Sequence, residues 1–326
     1  MRIIEEITEL REFGKANEGS VVTIGNFDGV HLGHREILKT ARNTADKNQK
    51  KLIAITFEPH PAAVLYPEKS PGVLTPLKLK IHLLEKFGVD CLFVLKTTPQ
   101  ILGLSPAAFV DKILTSATFL SVAVEGDNFN FGYGRAGNVY TLQSIGSANG
   151  FDVIIVEPIN ARLSIGHCVK VSSTLIRNLL TEAKVEDAAI ALGRAYKLTG
   201  KIIPGRGKGK QLGFPTLNLE ISNQTIPAEA VYAGTVEISD TLENLLDANK
   251  QIPAALSVGH TLTLGPYNPL AVEAHLLTED AEKIKGQWMS IDFIKWIRLQ
   301  NKFETEADLS AQIEKDCKSI ASILVN

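Results

Sequence analysis

The chain has 326 residues, 44% of them hydrophobic and 21% charged, with 34 Lys and Arg against 36 Asp and Glu for a formal net charge of −2. These values exclude a disordered chain and a general attraction to polyanions, so a phosphate or nucleotide site has to be local, and nucleic acid is not an expected partner. The length suits two domains better than one.

The opening Met1-Arg2-Ile3-Ile4 has no basic flank before an apolar core, and no apolar run reaches the roughly 18 residues of a membrane span. A cytoplasmic protein with no membrane association is predicted. Apolar runs at 21–24, 52–57, 91–95, 122–124 and 153–156 then alternate with helical spacing, as in Ile37, Leu38 and Ala41 or Ile81, Leu84 and Phe87. The alternation predicts βα units and a parallel sheet covered by helices. A short helical pattern (Val185, Ala188, Ala189, Leu192) stops at Gly193, which places a domain boundary beside it and divides the chain into 1–186 and 187–326.

Beyond the boundary, runs at 197–203, 231–238, 254–258, 271–277 and 289–297 follow one another with Gly, Pro and Asn clusters between them, predicting an antiparallel β-barrel. Near the end, Thr305 and Asp308 have capping-pair spacing. Leu309, Ile313, Cys317, Ile320 and Leu324 share one face of a terminal helix expected to pack on the barrel. Cys91, Cys168 and Cys317 are widely spaced in apolar surroundings, so reduced core thiols are expected rather than a disulfide frame.

The first strand leads into Gly25-Asn26-Phe27-Asp28-Gly29-Val30-His31-Leu32-Gly33-His34 and then a helix. Glycines at a strand-to-helix turn permit positive φ and close approach of backbone N–H groups, and a helix N-terminus favours an anion. His31 and His34 at i, i+3 can project from one face of the first turn toward the same phosphates. The HxxH spacing lacks a third metal ligand, and neither a Walker A nor a GxGxxG motif is present. Three more segments are placed at the carboxyl edge of the sheet, where open α/β folds bind ligands. Phe57-Glu58-Pro59-His60-Pro61 is stiffened by its prolines. Gly126-Asp127-Asn128-Phe129-Asn130-Phe131-Gly132 sets amides between aromatic rings. Ser172-Ser173-Thr174-Leu175-Ile176-Arg177 offers a serine cap with an arginine one turn on.

In the second half, residues 205–210 alternate Gly with basic residues and run through Gln211-Leu212-Gly213 into Phe214-Pro215-Thr216-Leu217-Asn218. The alternation reads either as a solvated surface loop or as a cationic flap. In an extended segment, Thr216 and Asn218 lie on one side with oxygen donors suited to Mg²⁺ and nucleotide phosphates.

GNFDGVHLGH, FEPHP, DNFNFG and SSTLIR, in this order, resemble the adenylyltransferase module of bacterial bifunctional riboflavin kinase/FAD synthetases. The resemblance implies a Rossmann-like nucleotidyltransferase domain that joins FMN to AMP. It implies phosphate binding by Gly25, Phe27, Asp28, Gly29, His31, His34, Ser173, Thr174 and Arg177, with Asn128 near the reacting phosphate or FMN. Pro59, Phe129 and Asn130 are implied at the flavin. The second half resembles the riboflavin kinase module: Gly207, Lys208, Gly209, Lys210 and Pro215 at ATP, Thr216 and Asn218 at Mg²⁺, and Glu273 in Val272-Glu273-Ala274-His275 as general base. The implied small molecules are riboflavin, FMN and ATP, with FMN and FAD as products.

The chain departs from the family in the kinase half. Ser257-Val258-Gly259-His260-Thr261-Leu262-Thr263 replaces an Asn-Ile-Gly segment followed by Pro-Thr, Ala230-Val231-Tyr232-Ala233 replaces Gly-Val-Tyr-Ala, and Ile284-Lys285-Gly286 replaces Leu-Tyr-Gly. These departures leave open an FAD synthetase whose barrel binds flavin with weak or no kinase activity.

Overall fold

The computed structural model describes residues 1–164, 166–205, 207–220, 222–248, 250–260, 270–278 and 286–324. It divides into two compact units. The first comprises Met1–Pro71, Thr75–Ala161 and Cys168–Ser172, and the second Gly72–Leu74, Arg162–His167 and Ser173–Asn326.

In the first unit, β1 (Arg2–Ile4), β2 (Ser20–Ile24), β3 (Lys51–Glu58), β4 (Cys91–Lys96), β5 (Leu120–Gly126) and β6 (Asp152–Val156) form a sheet of order β1-β4-β3-β2-β5-β6. Every pairing is parallel. Because successive side chains point to opposite faces, Val22, Ile24, Ile53 and Phe93 fill one core while Val21, Leu52, Ala54 and Leu92 fill the other. Helices over both faces require this, which is why the strands are apolar throughout rather than alternating.

The chain leaves β2 toward β3 on one side, while β5 and β6 lie on the other. The loops after β2 and β5 therefore part at a crevice, the usual ligand position in such sheets. The β2–β5 ladder ends at Val22↔Ala123, two residues short of the end of β2. The segment at 2–4 was not predicted as a strand; it is only three residues long with two of them exposed, too little for a pattern to register.

The second unit contains a closed barrel of β7 (Tyr196–Ile203), β8 (Leu217–Leu219), β9 (Ala230–Ser239), β10 (Ile252–His260), β11 (Leu270–Leu276) and β12 (Trp288–Leu299), in the order β7-β8-β11-β10-β9-β12. All its pairings are antiparallel. Tyr196, Tyr232 and Phe293 meet in its interior, with ring centroids 5.3 and 6.4 Å from the shared Phe293. Tyr232, in the altered Ala230 segment, is fully buried and donates its hydroxyl to the Ala228 carbonyl at 2.5 Å.

The helix Val185–Leu192 ends at Gly193 with φ of 68°, the left-handed stop expected from its sequence. The helix Glu306–Leu324 starts on the expected cap: the Thr305 hydroxyl bonds Asp308 Oδ2 at 2.7 Å and accepts from the Asp308 N–H at 3.1 Å. Ile320, Ile323 and Leu324 pack with Val231, Ala233 and Ala255 of the barrel. Arg298 on β12 reaches the same helix, donating from Nη2 and Nε to Asp316 Oδ2 at 2.7 and 2.9 Å.

Cys91 is buried on β4, where burial pushes its thiol up to about 12, and the half-buried Cys317 is pushed up to about 11. Cys168 is exposed, against expectation. It lies in a three-residue strand, Cys168–Lys170, whose alternate residues point to solvent.

Candidate active sites

The loop at 25–31 is strained. Phe27 and Val30 hold φ of 46° and 40°, and Gly29 holds 91°. Left-handed φ at a non-glycine residue costs about 1–3 kcal/mol, more so for a β-branched valine, and persists only where neighbours over-determine it. Here Phe27 and Val30 are buried anchors, 1% and 0% exposed. The Gly25 N–H donates to the Ile55 carbonyl at 3.0 Å. Asp28 Oδ1 accepts from the Thr75 N–H at 3.0 Å, and the Thr75 hydroxyl accepts from the Gly29 N–H at 3.0 Å.

His31 is the N-cap of the helix Leu32–Lys47, so it precedes the first turn instead of lying in it. Its Nδ1 accepts from the His34 N–H at 3.3 Å, which leaves the proton of the neutral ring on Nε2. The His34 ring stacks on His31 with centroids 3.6 Å apart at 17°, and its edge meets Phe27 at 5.5 Å. Burial, with added repulsion from His31 and Lys80, holds His34 well below the ordinary imidazole range. Its Nδ1 is shielded from solvent and without a hydrogen-bond partner among the described residues. Burial thus disfavours the charged ring, which an adjacent anion would favour.

Asn128 follows β5, whose Gly126 permits a tight turn closed by the Phe129 N–H on the Gly126 carbonyl at 3.0 Å. A Cβ at Gly126 would press on both Asn128 Oδ1 and Ile37 Cδ1 at 3.2 Å, so the asparagine side chain approaches the His34-bearing helix across this glycine. Asn130 Nδ2 donates to the Asn128 carbonyl at 2.7 Å, and Phe129 stacks on Phe131 at 5.3 Å. At the same sheet edge, Pro59 follows β3 through a cis peptide, and its carbonyl accepts from the Thr97 hydroxyl at 2.6 Å. His60 caps the following short helix.

Sequence reading missed two buried ionisable groups here. Glu125, 1% exposed on β5, accepts from the Ile24 N–H at 2.7 Å and so replaces the ladder bond lost where β2 and β5 part. Burial raises its carboxyl well above the usual range. Lys80, 5% exposed on the helix Leu77–Glu85, donates to the Thr56 hydroxyl at 3.2 Å. Burial lowers its pKa, opposed by the attraction of Asp28 and Glu58. The available signal was a charged residue at a core position: a glutamate inside an apolar strand, and a lysine flanked by Leu79 and Ile81.

Ser173, Thr174 and Arg177 lie in the second unit, on the helix Ser173–Thr181, which begins directly after Ser172. Arg177 Nε donates to the Gly72 carbonyl at 2.8 Å, and the Thr225 hydroxyl donates to the same oxygen at 2.8 Å. This tether fixes the base of the arginine.

In the barrel, Asn218 on β8 stands directly opposite Glu273 on β11, and Glu273 stands opposite Ser257 on β10. A row of amide, carboxylate and hydroxyl thus crosses three strands. His275, two residues from Glu273 on the same face, donates from Nδ1 to the Pro215 carbonyl at 2.8 Å and meets the Phe214 ring edge-on at 5.5 Å. The basic glycine segment holds a short helix, Lys208–Gln211, with Gly207 and Gly213 at φ of 74° and 86°. A Cβ at Gly205 would overlap the Asn218 amide, and one at Gly209 the Phe214 carbonyl, so the flap folds closely over the Pro215-Thr216-Leu217-Asn218 strip. Lys210 is exposed at its tip. Arg206, residues 261–263 of the altered segment, and Ile284 and Lys285 lie outside the described residues.

Thr216 and Asn218 carry hard oxygen donors, with Asn218 packed against Gly205, and no cluster of three His, Cys, Asp or Glu that could hold a metal occurs among the described residues. This donor set fits Mg²⁺, which takes one or two protein oxygens together with substrate phosphates.

The family model for FAD synthetase matches residues 14–175, and that for riboflavin kinase matches residues 192–324. The bifunctional riboflavin kinase/FMN adenylyltransferase of Escherichia coli (strain K12) is 30% identical over 97% of this chain and 96% of its own. That of Listeria monocytogenes is 34% identical over 91% of this chain and 90% of its own. A solved structure from Streptococcus pneumoniae, described as a macrolide-efflux protein, superposes with a TM-score of 0.79 at 25% identity, covering 98% of this chain and 99% of that one. In the present protein no helix among the described residues is long and apolar enough to cross a membrane. Both halves match, so the departures at Ser257 and Ala230 leave the barrel within the riboflavin kinase family. The chain belongs to the family of bifunctional riboflavin kinase/FMN adenylyltransferases.

Proposed function

We propose that the chain phosphorylates riboflavin to FMN with one ATP in its barrel, and adenylylates FMN to FAD with a second ATP at the carboxyl edge of its parallel sheet, releasing pyrophosphate. The observation that supports the kinase step best is register: Glu273 faces Asn218 directly, setting a carboxylate beside the proposed phosphate strip. Glu273 accepts the proton of the ribityl 5′-hydroxyl as that oxygen attacks the γ-phosphorus. His275 holds the Pro215 carbonyl and so orients Thr216, while Gly207, Lys208, Gly209 and Lys210 cover the nucleotide. Thr216 and Asn218 would hold Mg²⁺, which when bound neutralises phosphate charge.

Adenylylation requires no general base, because the FMN phosphate is already ionised when it attacks the α-phosphorus. His31 and His34 donate N–H groups to the ATP phosphates and to the charge growing on the leaving pyrophosphate. The backbone of Gly25, Phe27, Asp28 and Gly29 lines that pocket. Ser173, Thr174 and Arg177 bind phosphate oxygens, Asn128 orients the reacting groups, and Pro59, Phe129 and Asn130 hold the flavin. The enzyme acts in the cytoplasm, without nucleic acid or membrane. Incubation of the intact protein with riboflavin, ATP and Mg²⁺ is expected to yield FAD with FMN as the intermediate. FAD formed only when FMN is supplied would remove the kinase step, and no product from either flavin would remove both.

A further inference from the structure

We propose that Lys80 is a positioning residue for adenylylation: acting through the Thr56 hydroxyl, it fixes the Asn26 carbonyl and with it the shape of the phosphate loop. The inference rests on the adenylylation site lying at residues 25–34. Lys80 Nζ donates to Thr56 Oγ1 at 3.2 Å, and Thr56 Oγ1 donates to the Asn26 carbonyl at 3.2 Å. An ammonium has protons and no lone pair, so Thr56 must accept from it, and the single hydroxyl proton is left for Asn26. The lysine thereby sets the direction of the second bond. Burial lowers the Lys80 pKa, and the carboxylates of Asp28 and Glu58 oppose that shift in favour of the charged form that this direction requires.

The same segment supplies a second clamp five residues earlier. Thr75 bonds Asp28 through its N–H and Gly29 through its hydroxyl. Residues 26, 28 and 29 are therefore held from below by Thr75 and Lys80, and the two left-handed non-glycine residues, Phe27 and Val30, fall within or beside the held stretch. Thr56, Thr75, Asp28 and Lys80 are 0%, 2%, 3% and 5% exposed, so water has little access to replace a lost partner. Without Lys80 the Thr56 hydroxyl is free to turn, the loop relaxes toward ordinary φ, and the His31–His34 stack that it carries shifts. A misplacement of about 1 Å costs on the order of 100-fold in rate.

The test uses the full chain, with riboflavin phosphorylation by the same polypeptide as an internal reference. Lys80→Met is expected to lower kcat/KM for FAD formation from FMN by at least about tenfold, with FMN formation from riboflavin unchanged. The limb on which activity falls with rising pH is expected to move upward, because the Lys80 charge is one of those that disfavour protonation of His34. A purely structural lysine would instead lower the melting midpoint and leave kcat/KM of the folded protein unchanged. Thr56→Val should reproduce the loss in rate, and the double variant should be no worse than the worse single one. FAD formation within twofold of the parent in Lys80→Met, or losses that multiply in the double variant, would overturn the proposal. Should Lys80→Met lose both activities, Thr56→Val alone decides, and a rate within twofold of the parent overturns it. His34→Ala in the same assay separates the premises: its indifference would remove the site itself, whereas its loss beside an unaffected Lys80→Met would remove the lysine's role alone.

Discussion

Glu125→Gln should make the protein less sensitive to alkali. In the native state burial keeps the Glu125 carboxyl protonated well above the usual carboxylate range, whereas in the unfolded chain it ionises near about 4.3. Above that value the native state binds the extra proton, so stability is complete below the unfolded pKa and declines as pH rises toward the native one. The slope is about 1.4 kcal/mol per pH unit. Glutamine preserves the acceptor that meets the Ile24 N–H at 2.7 Å and has no proton to lose. Its amide adds donors in a buried space, a penalty constant with pH, so the informative quantity is the slope and not the offset. For a unit of this size, about 1 kcal/mol corresponds to roughly 2–4 °C, and the gap in melting midpoint between variant and parent should widen by roughly 3–5 °C per pH unit. Thermal unfolding of the full chain at several pH values from 5 to 8 measures it. Glu125→Val, which strands the Ile24 N–H, should fall below Glu125→Gln by about 1–3 kcal/mol at every pH. A gap that stays flat from pH 5 upward would refute the reasoning, since Glu125 would then ionise as an exposed glutamate does.

His34→Ala should reduce FAD formation from FMN by about 10²–10³-fold and leave riboflavin phosphorylation intact, as resolved by chromatography of the flavins. Glu273→Gln should do the converse, slowing FMN formation by about 10²–10⁴-fold while FAD is still made from supplied FMN. Asp316→Ala leaves the Arg298 guanidinium and Gln312 amide without the carboxylate that binds both. A loss of about 2–4 kcal/mol in urea unfolding is expected, below the fully buried range because the Arg298 side chain keeps 18% exposure.

The architecture was legible because periodicity reports burial. The five longer strands of the sheet are apolar on both faces, the barrel strands succeed one another without helices, and Gly193 and Thr305 mark helix ends by conformation and capping chemistry. The loop at 25–34 was legible because glycine and histidine are informative at a strand-to-helix turn. Spacing could not show that His31 caps the helix and stacks on its partner, since an i, i+3 count does not fix rotamers. Lys80 and Glu125 escaped because a charged residue in an apolar run reads as a surface interruption. Only the three-dimensional arrangement shows that Thr56 and the Ile24 N–H, both distant in sequence, satisfy them. Asn218 and Glu273 are 55 positions apart, and nothing short of the barrel's strand order makes them neighbours.

The unequal setting of the three thiols has a practical consequence. At neutral pH the suppressed acidity of Cys91 and Cys317 keeps both as unreactive thiols, whereas Cys168 meets solvent. A maleimide dye would therefore attach at one point without any engineered cysteine, four positions ahead of Ser172. Its fluorescence could then follow nucleotide or flavin titrations in the unmutated enzyme.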